Sequence, residues 1–291
     1  MNWISFALLA ALFLGLNMIA SKKVLVGERA LEFLAASSFA GLLFIVPAMF
    51  IFRPQLLPLP VIGIILVKSI TAFFFFYFGA RALRHMELSY YAPLTNLSPI
   101  LLIFLGYVFL GEKLSIIQIV GVLVTVFGAY ILELKDGLKS LTAPFLEIRK
   151  NKYIHFVFLG LLSGAFSIVL DRHILKTVSL TDFYFYQRIM IDILIISSLF
   201  WFFKGAQRVK KVFTDYGFLI FASVILFLLG DLFYFKAISF PTAYVALIIP
   251  VKRLSSLFAT VFGGEIFHED HLLRKSLACA IMIAGIVLIV Y

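Results

Sequence analysis

Ten apolar stretches follow one another along the chain, and each is long enough to cross a bilayer as a helix. A spanning helix needs about 20 apolar residues, because an α-helix rises about 1.5 Å per residue. The stretches are 3–21, 31–52, 60–80, 90–110, 115–133, 153–171, 182–203, 216–236, 242–264 and 272–290. Hydrophobic residues make up 63% of the 291 residues, more than a soluble domain of that length could bury. The sequence therefore predicts an all-α integral membrane protein with ten transmembrane helices in the lipid bilayer.

The charged and reactive residues argue against several other classes of protein. A net charge of +10 would suggest nucleic acid in a soluble protein, but in a membrane protein it indicates basic loops beside anionic lipid. We therefore expect no nucleic-acid partner. One cysteine, Cys279, permits neither an internal disulfide nor a cysteine-based metal site. Because the sequence contains no recognisable phosphate-binding glycine loop or nucleophile–base–acid set, we expect no cofactor, no metal and no enzymatic activity.

The two halves of the chain repeat each other. A shift of 157 residues places Pro93 on Pro250 and Gly128 on Gly285. Agreement at a constant offset indicates internal duplication. Because each unit contains an odd number of spans, the second unit must be inverted relative to the first, an architecture common among secondary transporters. We predict a first five-helix repeat over 1–134, a basic linker loop over 135–152, and an inverted second repeat over 153–291.

A family resemblance accompanies this repeat. The segment ALRHMELSYYAPLTNLSPILLIFLGYVFLGEKLSIIQIVGVLVTVFGAYIL (82–132) resembles the hallmark of the EamA family in the drug/metabolite transporter superfamily. That hallmark combines a small-residue helix, a proline, a Gly-Glu pair at the end of the fourth span and a glycine-rich fifth span. Pro99 and the pair at 111–112 match it, whereas Ser256 and His268 replace the proline and the glycine in the second copy. The resemblance implies a metabolite carrier, but leaves its substrate open.

Basic residues predict an orientation that differs from the family's habit. The loops after the odd-numbered spans contain sixteen Lys and Arg residues, and the opposite face contains five. The positive-inside rule therefore places the odd-numbered loops in the cytoplasm and both termini outside. The resemblance implies termini inside, so both orientations stay open. We expect the inner membrane of a prokaryotic cell, and we expect the N-terminal stretch to be retained as a span because it lacks a signal-peptide cleavage pattern.

Inserting a charged side chain at the centre of a membrane helix costs about 2.5–3.5 kcal/mol on insertion scales, so each charged residue inside a predicted span needs an explanation. They are Lys68, Arg188, Asp192, Asp231, Lys252 and Arg253, which is four cations against two anions. Arg188 and Asp192 lie four residues apart and can pair on one helix face. The bland interpretation is a set of structural ion pairs. The functional interpretation is an anion site, in which a phosphate or carboxylate completes the neutralisation.

A second resemblance favours the anion site. The pair Lys252-Arg253 in VKRLSS (251–256) is similar to the Lys-Arg pair that contacts substrate phosphate in the ninth span of triose-phosphate and nucleotide-sugar translocators. The predicted substrate-binding residues are Lys252, Arg253, Arg188, Lys68, Asn96, Tyr77 and Tyr234. The predicted charge-balancing or coupling residues are Asp192 and Asp231, and the predicted hinges are Pro93 and Pro250.

These features predict a secondary transporter that moves a small anionic metabolite by alternating access, with exchange favoured by the excess of positive charge. The partners would be the bilayer and the substrate, and the protein would be a monomer or a homodimer. An exporter of amino acids or similar zwitterions is the alternative within transport. An integral-membrane enzyme that uses His268, Glu269 and His271 in HEDH (268–271) is a rival of another class, although we interpret that segment as a capped loop. A structural membrane subunit is the third hypothesis.

Overall fold

The computed structural model describes the backbone of residues 2–25, 30–83, 85–86, 88–134, 141–151, 153–202, 206–267 and 272–291. These residues form thirteen α-helices and one π-helical segment, Gly106–Leu110, without any strand. The α-helices are α1 Trp3–Leu25, α2 Ala30–Phe52, α3 Leu59–Leu83, α4 Leu88–Thr95, α5 Ser98–Leu105, α6 Ile116–Glu133, α7 Ala143–Lys150, α8 Ile154–Ile174, α9 Leu180–Phe202, α10 Ala206–Ser239, α11 Val245–Lys252, α12 Leu254–Phe267 and α13 Leu272–Val290. The HEDH segment lies outside the described residues.

Helices occupy all ten predicted spans, although the described residues support only seven of them as membrane-crossing by length and composition. Those seven are Trp3–Leu25, Glu32–Phe52, Leu59–Ala82, Tyr90–Leu110, Ile116–Glu133, Ile154–Ile174 and Val209–Ser239. In the other three, α9 carries three charged residues, the ninth span is divided into α11 and α12, and the described apolar part of α13 covers Leu277–Val290. The count of ten transmembrane helices therefore stays a prediction.

Two of the predicted spans are interrupted at equivalent positions of the two repeats. The fourth span breaks between α4 and α5 at 96–97, and the ninth breaks between α11 and α12 at Arg253. Each break follows a proline by about one turn, and these prolines, Pro93 and Pro250, are the pair that the 157-residue shift superposes. Proline removes one N–H donor and clashes with the carbonyl of the preceding turn. Across each break the backbone tightens into a shorter turn, in which the N–H of Asn96 donates to the Pro93 carbonyl oxygen at 3.2 Å and that of Arg253 to the Pro250 carbonyl oxygen at 3.1 Å.

The packing of the helices follows a two-fold relation between the repeats. α1 packs along α10, and its repeat equivalent α8 packs along α3. α2 packs along α9, and α6 packs along α13, so these helices meet their own equivalents. Most of the extensive helix contacts thus join one repeat to the other.

The contact between α6 and α13 gives the direction of the two-fold axis. A Cβ atom added to Gly285 would lie 2.7 Å from the carbonyl oxygen of Gly121, and one added to Gly128 would lie 2.9 Å from that of Ala278. Residue numbers therefore rise along α6 as they fall along α13, and the two helices are antiparallel. Since equivalent helices run in opposite directions, the axis lies across them, in the plane of the membrane. The second repeat is inverted relative to the first.

Glu112 also joins the repeats, at the end of the fourth predicted span. The π-helical segment ends at Gly111, whose φ of 68° is a left-handed value that favours glycine. Both carboxylate oxygens of Glu112 then lie 3.1 Å from the N–H of Val245, the first residue of α11. A carboxylate there accepts from a free N–H and complements the positive end of the helix dipole. The Gly-Glu pair of the first repeat thus caps a broken helix of the second.

This cap predicts a pH dependence of stability. Burial raises the pKa of the Glu112 carboxyl above its usual value, although the N–H of Val245 and the charge of Arg172 act in the opposite direction. The folded protein then keeps a proton that the unfolded chain has released. This contribution to stability is complete below the ordinary glutamate pKa and is lost as pH rises through the raised value. We expect Glu112→Gln, which cannot ionise, to escape that loss.

Unfolding free energies of wild type and Glu112→Gln, measured across this pH range, should therefore diverge in favour of the variant as pH rises. A difference that stays constant with pH would show that the Glu112 carboxyl ionises alike in the folded and unfolded states.

Candidate functional site

A cavity of about 280 Å³ lies between the two repeats. α3 and α5 of the first repeat and α8 to α12 of the second line it. Its charged lining residues are Lys68, Asp171, Arg188, Asp231, Lys252 and Arg253. Its aromatic lining residues are Phe75, Phe76, Phe227, Tyr234 and Phe235. The structure thus brings into one space five of the six charged residues that the spans were predicted to contain, and adds Asp171.

Lys68 on α3 is fully engaged by protein groups. Its Nζ lies 3.1 Å from the Asp171 carboxylate and donates to the Gln187 Oε1 atom at 2.9 Å. The same ammonium lies 5.1 Å from the centre of the Phe235 ring, within range of a cation–π contact. Lys68 is 3% exposed and Asp171 is 2% exposed, so the pair is desolvated on both sides. This geometry holds α3 to α8 and α9.

Asp171 and Gln187 were absent from the sequence-based set of site residues, for different reasons. Asp171 was the last residue of the predicted sixth span and so seemed to lie at its end, whereas α8 continues to Ile174. Gln187 is recognisable from the sequence as a neutral polar residue inside a predicted span, but nothing there indicates that it faces the charged residues of the site. A search for acids within a turn of each predicted span end would have found Asp171. No sequence signal identifies Lys68 as its partner.

Arg188 forms the pair with Asp192 that their spacing predicts. The Nε and Nη2 atoms of Arg188 lie 2.9 Å and 2.8 Å from the two carboxylate oxygens, which is a bidentate arrangement. The outer face of the guanidinium lies 5.0 Å from the Phe227 ring. Asp192 is 0% exposed and is not among the cavity-lining residues. Asp192 therefore balances the charge of Arg188 from outside the cavity lining.

Lys252 differs from the two cations just described. Its ammonium lies 3.8 Å from the centre of the Tyr234 ring. Among the residues that the structure describes, it makes neither a hydrogen bond nor a direct ion pair. The hydroxyl of Tyr234 is buried, and it too has no hydrogen-bond partner within the described part of the chain. Two neighbouring groups of the cavity wall therefore have unfilled hydrogen-bonding capacity.

Arg253 lies at the break of the ninth span and binds the break of the fourth. Its Nη2 atom donates to the Thr95 carbonyl oxygen at 3.0 Å and to the Ser98 hydroxyl at 2.9 Å. Thr95 is the last residue of α4 and Ser98 the first of α5, so the guanidinium spans that interruption. Glu133, at the end of α6, is the acid whose negative charge attracts the Arg253 guanidinium. The two interrupted helices of the inverted repeats thus meet at one cation.

Including Asp171 changes the charge balance inferred from the sequence. With it, the four cations of the cavity lining face three aspartates, and the excess of positive charge falls from two to one. Glu133 offsets part of the remainder at Arg253. The site is therefore distinguished less by its net charge than by two groups. Lys252 and Tyr234 have hydrogen-bond donors without an acceptor in the described part of the chain, whereas the other cations already bind protein groups.

Two predicted substrate-binding residues lie outside the cavity lining. Tyr77 lies on α3, where its hydroxyl accepts hydrogen bonds from Arg81 at 3.1 Å and 3.2 Å. Asn96 lies in the break of the fourth span, is 2% exposed, and donates to the Ala129 carbonyl oxygen of α6 at 3.1 Å. Pro93 and Pro250 adjoin the breaks but do not line the cavity. Within the described residues, no group of three or more His, Cys, Asp or Glu residues could hold a metal ion.

Inverted repeats with broken helices around a charged cavity are the architecture of many membrane transporters. The EamA-like transporter family model matches residues 1–134 and 151–291, and the chain belongs to that family. A search of curated proteins finds no match. A solved structure, described as the crystal structure of a protein, shares the fold with a TM-score of 0.74 and 16% identity, over 98% of this chain and 95% of that one.

Proposed function

We propose that this transporter carries a small anionic metabolite, bearing a phosphate or carboxylate group, by alternating access. The observation that carries the proposal is the pair of unfilled donors on Lys252 and Tyr234 at the cavity wall. An ammonium group in an apolar surrounding is costly unless an acceptor completes its hydrogen bonds. An anionic oxygen group is an acceptor only, so it matches these donors. Arg253, beside Lys252, can add a further donor to the same group.

The size of the cavity limits the substrate. A volume of about 280 Å³ is at or below the range of about 300–1,000 Å³ that is typical of sites for drug-sized ligands. This supports a small organic acid or phosphate ester rather than a nucleotide-linked sugar. The aromatic wall favours a substrate that has an apolar part beside its charged group.

The paired breaks supply a way for the carrier to alternate. Pro93 and Pro250 stand at equivalent positions, and Arg253 connects the two interruptions. We propose that these prolines are hinges and that the substrate group competes for Arg253, so that binding changes how the broken helices contact each other. Exchange of one anion for another would follow if the empty carrier reorients slowly. We expect this activity in a prokaryotic inner membrane, in a monomer or a homodimer.

A zwitterionic substrate such as an amino acid is the second candidate, because the cavity also contains an acid near its free cation. Asp231 and Lys252 both line the cavity, and their opposite charges attract each other. A carboxylate at Lys252 and an ammonium at Asp231 would fit this arrangement. The two candidates differ in whether the substrate brings its own positive charge.

A thermal-shift comparison of the purified protein tests the proposal. We expect sulfate, phosphate, a sugar phosphate or a small carboxylate to raise the unfolding temperature of wild type, because a ligand of the folded state stabilises it by mass action. In Lys252→Met the affinity should fall about 10- to 100-fold, the value of a charge-assisted hydrogen bond. Lys210→Ala, at an exposed lysine of α10, is the matched control and should bind as wild type does.

The unliganded Lys252→Met protein loses no hydrogen bond of the lysine, but Asp231 loses the positive charge of Lys252, so we expect it to be less stable than wild type and measure each ligand shift against the unliganded variant. If anions stabilise wild type and Lys252→Met equally, the lysine does not bind them and the proposal fails. Stabilisation by amino acids alone would favour the zwitterionic candidate.

A further inference from the structure

We propose that Asp231 takes up one proton when an anionic substrate binds Lys252, so that each anion crosses the membrane together with a proton. The inference deepens the proposed function and rests on it, because it takes the anion site as given. It assigns a proton-binding site to a residue that the anion does not contact.

The geometry places Asp231 and the substrate on the same cation. Asp231 and Tyr234 are three residues apart on α10 and so share a helix face. The Lys252 ammonium sits over the Tyr234 ring at 3.8 Å, which brings it to that face. The opposite charges of Asp231 and Lys252 attract each other across this part of the cavity wall. Both residues line the cavity.

The other cations that face Asp231 already form ion pairs with other aspartates. Lys68 on α3 pairs with Asp171, and Arg188 on α9 pairs with Asp192. Gln187 also lies beside Asp231 but donates no positive charge. The remaining titratable neighbours are Asp171, Asp192, Tyr184 and Tyr234, and a negative charge on any of them repels the Asp231 carboxylate. Of the three cations that face Asp231, Lys252 is thus the one without a direct ion pair in the described part of the chain.

Substrate binding would weaken the stabilisation of the Asp231 carboxylate by Lys252. When an anion occupies the Lys252 ammonium, Asp231 must share its principal counter-charge and gains a further negative neighbour in a poorly solvated cavity. Its carboxylate is then disfavoured relative to the neutral acid. A proton from solvent forms an O–H bond on Asp231, and no other bond is made or broken. By linkage, the proton increases the affinity for the anion by the same factor as the anion increases the affinity for the proton.

Infrared difference spectroscopy tests this coupling without a substrate. Lys252→Met removes the charge that a bound anion would neutralise, so it imitates the liganded site electrostatically. The carbonyl stretch of a protonated carboxyl, followed against pH, reports on Asp231 when the band disappears in Asp231→Asn. We expect its midpoint to move upward by about one pH unit or more, at least tenfold in proton affinity, from wild type to Lys252→Met. Lys252→Arg keeps the charge and should leave the midpoint near that of wild type.

Asp215→Asn, which removes an exposed carboxyl from the same helix, should leave the band unchanged. A midpoint that is the same in wild type and Lys252→Met would overturn the inference, and so would a band that survives in Asp231→Asn. Neither result would contradict the proposed anion site, which the thermal-shift comparison tests separately. If Lys252→Met does not fold, the same band is followed in wild type with and without saturating phosphate, and a midpoint that does not rise when phosphate binds would overturn the inference.

Discussion

Replacing Arg188 with methionine should lower the free energy of unfolding by about 3–5 kcal/mol. The substitution leaves Asp192 at 0% exposure without the bidentate partner that now lies 2.8–2.9 Å away. An uncompensated carboxylate in a dry interior is among the most destabilising single changes in a protein. Reversible unfolding in mixed micelles would measure the loss, with helix content as the signal.

The double variant Arg188→Met with Asp192→Leu provides the control. Removing both charges leaves only the neutral Ser38 hydroxyl without its Asp192 partner, and replacing a buried ion pair by apolar residues of similar volume is often neutral or stabilising. The double variant should therefore recover most of the stability that the single variant loses. If the two variants were equally unstable, the loss would come from packing at position 188 and not from the stranded charge. If Arg188→Met were as stable as wild type, the Ser38 hydroxyl, which also hydrogen-bonds to Asp192, would be enough to compensate the carboxylate.

The features that depend on local pattern could be predicted from the sequence. Apolar length marked the spans, and an offset of 157 residues related the repeats before any contact was known. The pairing of Arg188 with Asp192 followed from the pitch of a helix, because residues four apart share a face. The prolines that precede the two breaks were recognised as repeat partners in the same way.

The features that depend on contacts between distant segments could not be predicted. Lys68 and Asp171 belong to different repeats, and no pattern in either segment indicates that the two residues pair. Repeat equivalence was also misleading at one point. Tyr77 and Tyr234 are related by the same shift, yet only Tyr234 lines the cavity. Helices of the second repeat form most of the wall, so equivalent positions on two helices need not have equivalent surroundings.

The antiparallel contact of α6 with α13 yields the second large expected effect. Gly285→Ala should destabilise the protein by about 1–3 kcal/mol, the usual range for overpacking. The added methyl group would lie 2.6 Å from the backbone nitrogen of Thr125 and 2.7 Å from the carbonyl oxygen of Gly121. Backbone atoms cannot rotate away as a flexible side chain can, so the two helices must separate. Small residues at such interfaces are what permit close packing of helices in a membrane.

Gly128→Ala extends this test to the two-fold symmetry itself. Gly128 is the repeat partner of Gly285, and its added methyl group would lie 2.9 Å from both the Ala278 carbonyl oxygen and the Met282 nitrogen. An inverted repeat with a symmetric interface requires the two substitutions to lower the unfolding free energy by similar amounts. Gly63→Ala is the matched control, because a methyl group there meets nothing within 4 Å. It should be neutral or stabilising by up to about 1 kcal/mol, since alanine favours a helix over glycine. If Gly63→Ala were as harmful as the other two, or if only one of the pair mattered, a symmetric interface could not be the cause.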